Sequence, residues 1–179
     1  IRVLEIGMDL AYFDHLKRLA KDLGHPLLES LVTLTIDCYN VITVERALSL
    51  KKPRSFMKQL LSDAGTLSAG EVIQHVEQGH LISWFQQVNP LPYDVELTRY
   101  EEQMRAGRVT AETVEYLEHV IKYRILEQAS FETDGPLPLA RYLFGKELEV
   151  KNLRLVLTGL DNQLPIDKIK ERMRPIYGQ

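Results

Sequence analysis

Apolar residues occur on every side of the stretch LESLVTLTIDCYNVITVERALSLKK, Leu28 to Lys52. Its centre also alternates like a β-strand, with Val32, Leu34 and Ile36 set around Thr33 and Thr35. Length decides between the two. No Gly or Pro interrupts the 26 residues between Pro26 and Pro53, whereas strands usually run about five or six residues. The stretch therefore predicts one long helix, opened by Pro26 and ended by Lys51, Lys52 and then Pro53. A helix that is apolar all round is surrounded by other helices.

The same pattern predicts helices elsewhere. Leu4, Met8, Tyr12, Leu16, Leu19 and Leu23 form a stripe at helical spacing that ends at Gly24. Pro53 opens a short helix closed by Gly65, and Ser68 with Glu71 forms a capping box for a helix stopping at Gly79. HLISWFQQV is a further apolar segment, and NPLP, Asn89 to Pro92, is the clearest break. Beyond it lie a polar helix ending at Gly107, a helix capped by Thr110, a turn at DGPLP, a long helix reaching Gly159 and a last short helix, PIDKIKERM. No strand is predicted, so the expected class is all-α. The break divides the chain into helical units 1–89 and 90–179.

Two segments within these helices look alike. Asp37-x-x-Asn40-Val41 is followed after a loop by LSAGEVI, and Glu149-x-x-Asn152-Leu153 by LPIDKI. Each pairs an acidic residue with an Asn one turn away on the same helix face. Read this way, the first copy carries KKPRSFMKQLLSD as an extra insert, and the two units are an internal duplication. A carboxylate inside an apolar helix needs a partner. For Asp37 the candidate donors are Arg46, Arg154, Tyr39 or a main-chain N–H of a neighbouring helix. Repetition favours a joint that fixes helix register over a unique active site.

Composition narrows the function classes. With 22 basic and 25 acidic residues in 179, the net charge is −3, which gives no general attraction to nucleic acid. The one cysteine, Cys38, excludes an internal disulfide and reads as a buried thiol. No window approaches the roughly 18 uninterrupted apolar residues of a membrane span. The start at Ile1 does not look like a signal peptide, because Glu5, Asp9 and Asp14 interrupt it. No phosphate-binding G-x-x-x-x-G-K-[ST] loop occurs. A metal-dependent helical-bundle enzyme is a second reading, since Glu77-x-x-His80 has di-iron carboxylate spacing, but such sites need that motif twice. Lys51, Lys52 and Arg54 form a basic cluster, and Trp84 and Phe85 crowd the break. Both are candidate partner contacts.

Three motifs in order carry a family resemblance. YLFGKELEVKNLR, Tyr142 to Arg154, resembles the signature Y-L-x-x-K-E-x-E-(I/V)-x-N-(I/L)-R of the C subunit of bacterial and archaeal V-type (A-type) ATPases, whose counterpart in eukaryotic vacuolar ATPases is the d subunit. LEIGMDLAYFDHL is similar to that family's E-x-x-x-D-x-x-Y-(Y/F) helix, and IDCYNVITVERAL to its I-D-x-x-N-(I/L)-x-x-x-x-R helix. The resemblance implies repeated helical units in a funnel-like, pseudo-threefold body. Proteins of this family have three units; two are legible here, so the chain is expected to be a C-terminal part. The resemblance further implies a non-catalytic central-stalk component without a cofactor, on the cytoplasmic face of the membrane. Its partners would be the shaft of the ATPase head and the membrane proteolipid ring, coupled for proton or sodium transport or for ATP synthesis. Asp37, Asn40, Arg46, Glu149, Asn152 and Arg154 are its structural motif residues. A helical adaptor unrelated to rotary ATPases is the remaining alternative.

Overall fold

The computed structural model describes residues 2–79, 106 and 110–176, with side chains from Ile6 onward in the first helix. Among these residues the structure is all-α, with no strand. The chain divides into two compact units, 1–115 and 116–179. The break at Asn89 to Pro92, and with it the expected boundary, lies outside the described residues, as do Trp84, Phe85 and His80.

Unit 1 is built around its second helix. Helix α1 (Arg2–Leu23) ends in a turn at Gly24, whose φ of +65° suits glycine. Helix α2 (Pro26–Ser49) has His25 as its N-cap and Pro26 at its first turn. Helices α3 (Arg54–Leu60) and α4 (Ala69–Glu77) follow, α4 opened by the Ser68–Glu71 capping box. All three pack against α2, which explains its apolar character on every side. By length and composition α2 could also cross a membrane. Its buried residues include Asp37 and Asn40, both bonded to protein groups.

The apolar stripe of α1 is not the face that this chain buries. Met8, Tyr12, Leu19 and Leu23 are exposed, and Phe13 and Ala20, seven residues apart, are buried instead. Phe13 meets the Tyr39 ring of α2 at 4.6 Å between centroids. An apolar stripe marks a face fit for burial without saying that this chain provides the cover.

Helix α5 (Ala111–Gln128) has Thr110 as its cap, accepting from the Thr113 N–H at 3.3 Å. It straddles the division between the units. In unit 2, α6 (Leu137–Asp161) and α7 (Ile166–Glu171) follow it. Leu117, Val120, Ile121 and Ile125 of α5, Leu137 and Leu148 of α6, and Ile169 of α7 are buried. Gly145, inside the signature helix, is buried too. At Gly159 a Cβ would stand 2.6 Å from Ile169 Cδ1, so α7 packs closely on α6 there and a larger residue would require the Ile169 side chain to shift.

Candidate functional site

The polar residues singled out in the sequence build two joints of the same design. In unit 1, Asn40 donates from Nδ2 to the Ser62 carbonyl at 2.8 Å and accepts the Ser62 N–H on Oδ1 at 2.9 Å. In unit 2, Asn152 donates to the Arg174 carbonyl at 3.0 Å and accepts the Arg174 N–H at 2.8 Å. A carboxamide offers a donor and an acceptor side by side, so it can replace one peptide neighbour for a strand of chain that has none. Each latch closes over 22 residues. The long helix is thereby tied to the segment that leaves the short helix behind it.

This geometry corrects the register of the repeat. Residue i of the first latch corresponds to residue i + 112 of the second, without a gap. Lys51 and Gln163 are the non-glycine residues with positive φ among those described, at 53° and 55°. The Lys52 N–H reaches the Ala47 carbonyl at 2.9 Å, and the Leu164 N–H reaches Gly159 at 2.8 Å, the same helix-ending bond. Pro53 and Pro165 open α3 and α7, which bury Met57 and Ile169 at matching positions. KKPRSFMKQLLSD is therefore no insert; α3 is the counterpart of α7. The sequence match pairs LPIDKI with LSAGEVI and so aligns α7 with α4 instead.

The acidic partners do not repeat in the same way. Asp37 is fully buried and accepts the Thr66 N–H on Oδ1 and the Thr66 hydroxyl on Oδ2, both at 2.7 Å. Burial pushes its carboxyl up, against the lowering effect of the two Thr66 bonds and of Lys17. A Cβ on Gly65 would stand 2.3 Å from Asp37 Oδ1, so the loop reaches the carboxylate only through glycine. Neither arginine expected as its donor serves: Arg46 is exposed and lies 4.0 Å from Glu115, and Arg154 is exposed. Glu149 is half-buried and bonds Lys146 on its own helix at 2.7 Å. Thr66 escapes sequence reasoning because it stands 29 residues from Asp37, in a segment with no periodic pattern.

The second joint carries a buried histidine, His119. His119 is 4% exposed; Arg174 donates from Nε to its Nδ1 at 3.2 Å, and Lys151 Nζ stands 2.6 Å from its Nε2. Burial, then Lys151, Arg174 and Lys122, lower its pKa to about 3. An unfolded chain takes up this proton near pH 6.5, so between those values the unfolded state binds more protons than the folded one. Stability is full above about pH 6.5 and falls as pH drops below it, by up to about 2 kcal/mol at pH 5. Asp37, whose pKa is raised, contributes with the opposite sign. Urea unfolding at pH 8 and pH 5 is expected to show the loss in the native chain and a smaller pH slope in His119→Gln.

The remaining candidates are surface features. Lys51 and Lys52 are exposed, Lys52 lying 5.8 Å from the Phe56 ring centroid. Arg54 grips both carboxylate oxygens of Glu77, the Nε bond being 3.0 Å long. Glu77, half of the Glu-x-x-His spacing, is thus committed to an ion pair. Among the described residues no group of three or more His, Cys, Asp or Glu side chains is placed to hold a metal ion. A shallow depression of about 350 Å³ is lined by Leu10, Asp14, Leu61, Ser62, Asp63 and Ala64. Its lining offers two carboxylates and a hydroxyl, with no histidine, cysteine or cation among them.

The fold is all-α, and in each unit a buried asparagine on a long helix holds main chain. Residues 1–172 match the family described as ATP synthase (C/AC39) subunit, and the chain belongs to that family. It is 30% identical over 177 residues to the C subunit of the V-type sodium ATPase of Enterococcus hirae, covering 97% of this chain and 52% of that protein. It is 28% identical over 150 residues to the C subunit of the A-type ATP synthase of Thermococcus onnurineus, covering 81% and 38% respectively. The chain therefore spans about half or less of the length of these relatives. No solved structure matches it.

Proposed function

We propose that residues 1–179 are the C-terminal part of a longer central-stalk subunit that couples the shaft of a V-type or A-type ATPase to its membrane proteolipid ring. In this reading the subunit has no catalytic centre of its own. It sits on the cytoplasmic face of the membrane as a peripheral part of the complex, and three such units form a funnel with pseudo-threefold symmetry. Torque from ATP hydrolysis passes through it to the ring for proton or sodium transport, or in reverse for ATP synthesis. The observation that carries the reading is the duplicated latch in a chain of this family. Asn40 and Asn152 cross-brace each long helix to a segment 22 residues away, and close packing resists deformation under load.

The exposed Lys51 and Lys52 suit contact with an acidic partner surface, while Arg54 serves α4 through Glu77. The test is co-purification: a tagged full-length subunit is expected to retain both the shaft proteins and the ring. Reversing Lys51 and Lys52 to Glu is expected to weaken that capture most at low salt, where screening is least. Recovery of neither partner would contradict the coupling role.

A further inference from the structure

The two latches share a design but not their surroundings. Residue i of α1 corresponds to residue i + 106 of α5, a match that pairs Phe13 with His119 and Ala20 with Leu126, all four buried. The long helices keep their offset of 112, so Tyr39 corresponds to Lys151. The contacts follow the match. Where the rings of Phe13 and Tyr39 meet at 4.6 Å between centroids, His119 Nε2 and Lys151 Nζ meet at 2.6 Å. A joint that takes up no proton near neutral pH in unit 1 is built around an imidazole in unit 2.

The segment that the second latch holds is a strap, residues 173–176. Asn152 binds both main-chain groups of Arg174, and the Tyr123 hydroxyl donates to the Ile176 carbonyl at 3.1 Å. The Arg174 side chain donates from Nε to His119 Nδ1 at 3.2 Å. A guanidinium can only donate, so Nδ1 is the acceptor of the ring and Nε2 carries its one proton. A second proton has one place to go: Nδ1, the atom that holds Arg174. It turns the acceptor into a donor and sets two cations face to face. The carboxylates nearby are already engaged. Glu118 pairs with Lys122 on α5, Glu147 with Lys151 on α6 at 2.8 Å, and Glu115, one turn back on α5, lies 4.0 Å from Arg46.

The strap is also the looser of the two latched segments. Leu61 and Ser62 are each 4% exposed, whereas their counterparts Met173 and Arg174 are half-buried. Few buried contacts make a segment able to open by itself.

We propose that residues 173–176 form an acid-released strap, which one proton taken up at His119 Nδ1 unlatches from α6 while the helices of unit 2 stay folded. Unit 1 has no such release, because Phe13 stands where the proton would bind.

Hydrogen exchange at pH 8 and pH 5, corrected for intrinsic rates, tests this in the full-length protein that contains the chain. The Arg174 N–H, bound to Asn152 Oδ1, is expected to lose protection roughly 30-fold at pH 5, since the ring has a pKa of about 3 when strapped and about 6.5 when free. The loss is expected to be insensitive to low urea, because local opening exposes little surface. At Ser62, and at buried Leu148 of α6, no urea-insensitive loss is expected. His119→Phe, which installs the unit 1 residue, and His119→Gln, which keeps an acceptor for Arg174, are both expected to remove the pH dependence. Unchanged protection of Arg174 at pH 5 would overturn the proposal. So would a loss that urea promotes as it does at Leu148, which is unfolding of the unit, or a loss that persists in both variants. Imidazole nitrogen NMR at pH 8 that places the ring proton on Nδ1 would overturn it as well.

Discussion

Asn40→Ala is expected to lower the melting temperature of the chain by about 10 °C, more than the matching truncation in unit 2. Asn40 is fully buried and bonds both main-chain groups of Ser62. Truncation leaves a buried N–H and a buried C=O without partners, each costing about 1–3 kcal/mol. A combined loss of about 3 kcal/mol corresponds to roughly 10 °C for a chain of this size. Asn152→Ala is expected to cost about half as much, because Asn152 keeps 7% exposure and water can reach part of its latch. Asn40→Asp is no remedy: one oxygen still accepts the Ser62 N–H, but the other faces the Ser62 carbonyl. Calorimetry on the three variants checks the order. Wild-type stability in both alanine variants would show that the latches do not hold the fold.

Gly65→Ala is expected to destabilise unit 1 by about 3 kcal/mol, from overpacking and from buried hydrogen bonds that must break. The added methyl would sit 2.3 Å from Asp37 Oδ1 and 3.3 Å from its Cγ. The neighbour is the anchored end of a buried carboxylate rather than a swinging side chain, so relief requires leaving Thr66. The mechanism makes a sharper prediction in combination. In an Asp37→Ala background there is no carboxylate to strike, so adding Gly65→Ala is expected to cost less than about 1 kcal/mol more. Denaturant unfolding of the four proteins gives the cycle. Additive losses would show that Gly65 matters for its backbone and not for its distance from Asp37.

Much of the fold is legible in the sequence because its signals are local. The Gly- and Pro-free run between Pro26 and Pro53, the Ser68–Glu71 capping box and the turn at Gly24 each depend on residues within a few positions of one another. The two asparagines are legible as a pair for a different reason: an amide repeated in the same helical context points to a repeated structural demand. What the amides hold is not legible. Ser62 and Arg174 are held through main chain, which any residue provides, so no side-chain signature marks them. The Asp37 partner escapes for the same reason: charge points to an arginine where a neutral donor beside a glycine suffices. The buried face of α1 is not legible for another reason. Met8 and Tyr12 satisfy helical periodicity as well as Phe13 and Ala20 do, and periodicity cannot tell which face the same chain buries. The Asp37–Glu149 echo misleads in a third way. Glu149 sits at the equivalent position, but its unit lacks, among the described residues, the loop that makes Asp37 a buried acceptor.

The coupling claim is tested most directly by reconstituting the full rotary complex into vesicles with and without the full-length subunit that contains this chain. ATP hydrolysis and ATP-driven ion uptake are measured together. A coupling role predicts that omission abolishes ion uptake while the soluble head continues to hydrolyse ATP, and that adding the subunit back restores uptake. Ion uptake that persists without the subunit would contradict it, as would ATP hydrolysis carried by the purified subunit alone.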